Sequence, residues 1–267
     1  MTGKRIYGAI LLSLMALATA PVLSGDVLDR VVERGKIRVG MTGTQPPLNM
    51  FGKDGELMGF EVDLANELAA SMGVEVTLVT KPFLELLPAL EAGQVDMIIS
   101  GMTITPRRNT RVAFVGPYAM TGKAILTKSA SLAKVEDIEE LNKEEFRITA
   151  LKGSTSQEFV ERHLPKAESS FTGDYEASVK RVLEGKADAM VADSEICEVS
   201  VFLHPEAELK TTEELFTVEP IGIALPPDDP LMINLIENYF YALDGMGRIQ
   251  ELYEKWWDDG SWLSDMP

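Results

Sequence analysis

Cysteine is almost missing from this chain: among its 267 residues Cys197 stands alone. A single thiol closes no internal disulfide, so the fold has to stand on its core. Histidine is nearly as scarce, with His163 in a polar helical stretch and His204 ahead of Pro205 in a loop-like one. No HExxH, CxxC, GxSxG or P-loop pattern occurs, which removes the common metal, redox, nucleophile and phosphate signatures. No metal or cofactor is expected. Positive charge is also short, with 25 Lys and Arg against 42 Asp and Glu and a formal net charge of −17. That balance argues against nucleic acid and against an anionic membrane surface as partners. An anionic ligand would have to be drawn by local charge, not by the overall field.

Long apolar runs are absent after residue 25, so no later segment is expected to span a bilayer. The run at 6–17 follows Lys4 and Arg5 and precedes the small residues Ala18-Thr19-Ala20. Its shortness and its flanks read as a secretory signal peptide over residues 1–25, rather than an anchor that stays attached. Cleavage is expected between Ala20 and Gly25. No cysteine stands near residue 25, so no lipid attachment is expected, and the mature protein is expected in the periplasm or on the outer face.

With 45% hydrophobic residues, what remains has ample material for a core in one or two domains. Residues 26–34 read as an amphipathic helix, 36–40 as a strand and 49–59 as a hairpin with Lys53-Asp54-Gly55 at its tip. Residues 61–72 carry Leu64, Leu68 and Met72 on one helical face and stop at Gly73. A strand at 74–79, a helix at 84–91 and a strand at 95–100 follow. This alternation predicts an α/β fold with mostly parallel sheets and right-handed crossovers.

The pattern then restarts. FRITA at 146–150 resembles IRVGM at 37–41. Gly93-Gln94-Val95-Asp96, with the apolar run ending at Gly101, is echoed by Gly185-Lys186-Ala187-Asp188, with the run ending at Asp193. A period of about 92 residues is too long for a solenoid and fits two similar lobes. Gly101 and Asp193 would then sit at equivalent strand ends, facing one cleft.

The stretch SGMTITPRRNTRVAFVGPY at 100–118 concentrates the chemistry. Thr105 is a good N-cap and Pro106 suits the first helical position, which puts Arg108 in the first turn of a helix at a carboxyl strand end. Free backbone N–H groups, the Thr103 hydroxyl and a guanidinium there would hold a carboxylate, although Arg108 also reads as a solvated helix residue. The second lobe offers Asp193 and a helix start at 153–156, where Thr155-Ser156-Gln157-Glu158 has capping-box spacing. One cation, one helix-end anion site and one carboxylate suit a zwitterion.

In these residues the chain resembles the bacterial extracellular solute-binding proteins of the polar amino-acid class, family 3. The resemblance spans roughly residues 27–260 and is carried by IRVG at 37–40, PP at 46–47, GFEVDLANELA at 59–69, LLPALEAGQVDMIISGMTITPRR at 86–108, KGST at 152–155, GKADAMVAD at 185–193, IGIALP at 221–226 and YEKWW at 253–257. It implies the periplasmic-binding-protein (type II) architecture with a two-strand hinge. Lobe 1 would comprise 26–120 and 220–267, and lobe 2 would comprise 121–219. It also implies that Arg108, Thr103, Ser154 and Thr155 hold a ligand carboxylate, that the Gly101 carbonyl and Asp193 receive its ammonium, and that Phe83 covers its side chain. The first pocket loop departs from the family pattern, with Thr42, Gln45 and Leu48 where an acid or polar residue and aromatics are usual. A more polar ligand side chain, or an organic acid without the amine, therefore stays open.

The function so implied is capture of an amino acid or small carboxylate, by a monomer, for a membrane ABC permease. Another reading is an exported cyclohexadienyl (arogenate or prephenate) dehydratase on the same fold, with Glu195 or Glu198 near Asp193 as general acid. The bland reading of both glutamates is ordinary surface or helix residues. A separate sensor subunit for a receptor kinase is a third.

Overall fold

The computed structural model describes residues 26–266, and the expected signal peptide lies outside the described residues. In chain order the strands are β1 (Lys36–Met41), β2 (Thr44–Gln45), β3 (Asn49–Phe51), β4 (Leu57–Met58), β5 (Glu75–Thr80), β6 (Met97–Ile98), β7 (Ala113–Thr121), β8 (Lys123–Thr127), β9 (Arg147–Leu151), β10 (Glu168–Thr172), β11 (Ala189–Asp193), β12 (Lys210–Thr211) and β13 (Glu219–Leu225). The helices are α1 (Asp26–Arg34), α2 (Phe60–Met72), α3 (Phe83–Glu91), α4 (Pro106–Asn109), α5 (Thr155–His163), α6 (Tyr175–Leu183), α7 (Ser194–Leu203), α8 (Pro230–Gly245) and α9 (Arg248–Tyr253).

The described strands form two five-stranded sheets, ordered β5-β1-β6-β13-β7 and β10-β9-β11-β8-β12, and a three-stranded one, β2-β3-β4, whose β3–β4 pair is the expected hairpin. In each large sheet the first three strands in this order pair in parallel, the fourth (β13 or β8) runs opposite to them, and the fifth (β7 or β12) pairs antiparallel with the fourth and so runs with the first three. The shared order and direction make this a two-lobe, type II α/β architecture.

The internal echo has a physical cause. Asp96 accepts from the backbone N–H of Arg38 and from its guanidinium, and the same guanidinium donates to the Gly93 carbonyl. In the other lobe Asp188 and Gly185 do the same for Arg147. Each Gly-x-x-Asp thus staples two neighbouring strands, β1 to β6 in one lobe and β9 to β11 in the other. The registers match as well: Val39 faces Met97 and Ile148 faces Ala189, each one residue beyond its staple.

Apolar faces close each lobe. Ile37, Val39, Leu64, Leu68, Met97 and Ile223 share the first core, and Ile125, Ile148, Val160 and Val191 share the second. A third cluster joins Phe83, Leu86 and Met102 of one lobe to Leu151, Tyr175 and Ala192 of the other. The lobes are therefore shut on one another.

The chain passes between the sheets twice, from β7 through Gly122 into β8, and from Thr217 back into β13. The two passages lie side by side: Glu219 pairs with Thr121, and the Lys123 N–H donates to Thr217 Oγ1 at 3.0 Å. A Cβ on Gly122 would stand 2.2 Å from the Thr217 carbonyl oxygen, so only glycine lets them approach this closely.

Candidate functional site

Thr105 caps α4 as its sequence suggests, accepting from the Arg108 N–H at 3.2 Å, with Pro106 at the first helical position. This single turn starts beyond β6 and carries Arg108 into the cleft, where the residue is 8% exposed. Its guanidinium donates to the Thr103 carbonyl at 2.9 Å and, across the cleft, to the Gly153 carbonyl at 3.4 Å. The Phe83 ring lies beneath it, 5.6 Å from Cζ, close enough for a cation–π contact. Burial lowers the guanidinium below its usual value, while Glu158, Asp193 and Glu219 oppose that shift through space. Among the described residues Arg108 has no carboxylate bonded to it.

Thr103 and Thr155 meet from opposite lobes, their hydroxyls 3.3 Å apart. Both donate to Glu219 Oε2, at 3.1 and 2.8 Å. The same oxygen accepts from Lys123 Nζ at 3.0 Å, and Lys123 also pairs with Asp193 Oδ1. The other Asp193 oxygen accepts from the Tyr175 hydroxyl at 3.3 Å. Lys123 has no exposed surface. Burial alone would lower its ammonium, but Asp193 and Glu219 outweigh burial and the net shift is upward. Burial likewise pushes Glu219 up, and Lys123 together with the Thr155 hydrogen bond brings it to a net position below the usual value. Both stay charged.

Other expected site residues are placed differently. The Ser154 hydroxyl donates to the Leu151 carbonyl and caps α5 by accepting from the Gln157 N–H, so it is committed to the loop. The expected capping box is displaced by one residue: Ser154 rather than Thr155 is the cap, and Gln157 Oε1 reaches back to the Gly153 N–H at 2.7 Å. Thr155 is thereby freed to face the cleft.

Gly101 adopts φ 53°, and a Cβ there would stand 2.6 Å from Gln45 Nε2. Gln45 is fixed through its Oε1, which accepts from Ser100 Oγ at 2.6 Å and lies 2.9 Å from Thr42 Oγ1. Thr42 and Phe83 border a hollow of about 350 Å³ that also includes Asp174 and Leu151. On the other side of Phe83 a groove of about 410 Å³ runs between Leu84, Arg108, Gly153 and Glu158.

Beneath this layer Glu61, fully buried in the first turn of α2, pins three segments. It accepts from the Gly101 N–H at 2.6 Å, from the Tyr118 hydroxyl, and from Asn49 Nδ2 at 2.5 Å. Burial raises its carboxyl, against the pull of those donors. Glu195 is 7% exposed, which corrects its bland reading as a surface residue, whereas Glu198 is exposed. Its carboxylate accepts from Thr121 at 2.6 Å and from Ser194 at 3.1 Å, and so turns toward the hinge. Burial, with the Asp193 charge beside it, pushes it up to about 7.

Sequence reasoning missed Lys123, Glu219 and Tyr175. A trace of Lys123 was present: a lone charge opening the otherwise charge-free strand KAILT, every residue of which is buried. Glu219 and Tyr175 left no comparable mark, since their roles depend on partners distant in the chain.

Among known proteins the chain is similar to the ABC transporter arginine-binding protein 1 of Escherichia coli (strain K12), 27% identical over 83% of this chain and 90% of that protein. It is also similar to a cyclohexadienyl dehydratase of Pseudomonas aeruginosa, 26% identical over 86% of this chain and 85% of that protein. The solved structure of an ancestral amino acid-binding protein, described as a precursor of cyclohexadienyl dehydratase, superposes with a TM-score of 0.81 at 34% identity, covering 86% of this chain and 99% of the other. With residues 37–259 matching the profile of the bacterial extracellular solute-binding proteins, family 3, the chain belongs to that family.

Proposed function

We propose that this protein captures a small carboxylate-bearing solute, an amino acid or a related acid, between its two lobes and presents the closed form to a membrane ABC importer. Arg108 carries the reading. A buried guanidinium that bonds two carbonyl groups and no carboxylate is a charge awaiting its counterion, and a ligand carboxylate supplies one in bidentate geometry. The family and the transporter names of its relatives support the delivery step. Catalysis is not needed for any of it.

A thermal-shift screen against amino acids and small organic acids tests the proposal. A solute that binds only the folded state raises stability by about 4 kcal/mol at a thousandfold excess over Kd. A screen with no shift, repeated by calorimetry, would remove the reading.

Glu195 favours a second reading, an exported dehydratase on the same scaffold. A buried carboxyl beside Asp193, pushed up to about 7, has the proton affinity a general acid needs, once it leaves its Thr121 and Ser194 partners to face a substrate hydroxyl. Release of phenylpyruvate from prephenate, or of phenylalanine from arogenate, would establish it. Unchanged substrate recovered after prolonged incubation would dismiss it.

A further inference from the structure

The cleft already contains an ammonium and a carboxylate of its own. Lys123 Nζ sits on Asp193 Oδ1, and Glu219 Oε2 accepts from both Thr103 and Thr155. The remaining Asp193 oxygen is taken by Tyr175. An α-amino acid entering this closed site would bring a second ammonium toward Asp193, beside the buried Lys123 charge. Like charges at such range, shielded from water, disfavour one another strongly. An acid without the amine brings no such conflict. Its carboxylate still meets Arg108. Lys123 is covered in the closed form; where opening parts Thr103 from Thr155 and uncovers it, a 2-oxo or 2-hydroxy oxygen can accept the third hydrogen of its ammonium, since two of the three already point to Asp193 and Glu219.

We infer that the site selects carboxylates lacking an α-amino group, 2-oxo and 2-hydroxy acids, because Lys123 stands where a ligand ammonium would go. The inference rests on the carboxylate-binding role of Arg108 proposed above and adds the solute's chemical class. Specificity of this kind comes from a repulsive element built against the competitor.

The test is calorimetry with matched pairs that differ only at the α position: glutamate against 2-oxoglutarate, phenylalanine against phenylpyruvate, and leucine against 4-methyl-2-oxopentanoate. The native protein should bind the amine-free member of at least one pair, and at least tenfold more tightly than its amino acid. Lys123→Met removes the internal ammonium, and Lys123→Met with Glu219→Gln does so while keeping the site's charge balance. In whichever of these folds, checked by circular dichroism, the preference within that pair should reverse toward the amino acid. A native protein that prefers the amino-acid member would overturn the inference and leave the carboxylate reading intact, as would a preference unmoved in both variants. Binding of no member of any pair would overturn both.

Discussion

Arg108 is the residue whose loss should be felt most directly in binding. Lysine cannot copy the two parallel hydrogen bonds of a guanidinium to a carboxylate. Removing one member of a desolvated pair costs roughly 2–5 kcal/mol, a thirtyfold to several-thousandfold loss of affinity. Arg108→Ala and Arg108→Lys should both show losses in that range by calorimetry. Arg107, one position earlier, points elsewhere and forms a cross-cleft pair with Glu158 at 2.7 Å, with 80% of its own side-chain surface exposed. Exposed pairs contribute little, so Arg107→Ala should weaken binding by less than about fivefold. Comparable losses for Arg107→Ala and Arg108→Ala would mean that something else holds the carboxylate. Glu195 gives a pH signature instead. Its folded-state value is raised to about 7 from an ordinary glutamate value, so the folded protein binds this proton more tightly than the unfolded chain. The stability this contributes is complete below the unfolded value and is lost as pH rises to about 7. Glu61 is shifted in the same direction. Glu195→Gln should therefore melt close to the native protein at pH 5 and above it at pH 8. A constant difference across that range would refute the assignment.

Among the elements, the twin staples allow a comparison within one molecule. Asp96 is 1% exposed and Asp188 30% at the side chain; their bonds to Arg38 and Arg147 match, and Asp96 also accepts from the Arg34 guanidinium. Removing a buried acceptor costs about 1–3 kcal/mol, and less where water can replace it. Urea unfolding should show Asp96→Ala losing more stability than Asp188→Ala; the reverse order would mean the staple is not what holds these strands. Glu61→Ala should be costlier than an ordinary helix substitution, because it orphans donors on Gly101, Tyr118 and Asn49 at once. The staples also show what the sequence made legible. Gly-x-x-Asp is a local signal that recurs 92 positions on, so the duplication could be read directly, whereas its arginine lies 58 positions earlier in one lobe and 41 in the other and is tied to it only by the fold. Thr105, Pro106 and Arg108 were likewise legible, since a cap and a first-turn proline act over three residues. Lys123 was not, because its partners lie 70 and 96 positions away and meet it only once β8 runs antiparallel beside β11. Nothing local singles out Glu61 in the first turn of its helix, because its burial depends on where Gly101 and Tyr118 are brought.

For the whole molecule, the described state is the closed one, with Thr103 on Thr155 and Arg107 on Glu158 across the gap. Gly122 governs how closely the two passages between lobes can lie. Gly122→Ala forces its methyl group against the Thr217 carbonyl, and overpacking of this kind costs typically 1–3 kcal/mol. It should lower the melting temperature and, in small-angle scattering with a bound solute, leave a larger radius of gyration than the native protein shows. An unchanged radius would mean the passages can part without disturbing closure. The placement of Lys123, one residue from Gly122, carries a mechanical consequence. In a rotation about an axle, displacement grows with distance from it. Lys123 and Glu219 sit almost on the axle and should travel little, while Arg107 and Glu158, at the end of the lever, should swing widest. Opening would then undo the contacts from the rim inward, and a solute diffusing in would find the inner charges already seated and only the outer gate still to fall.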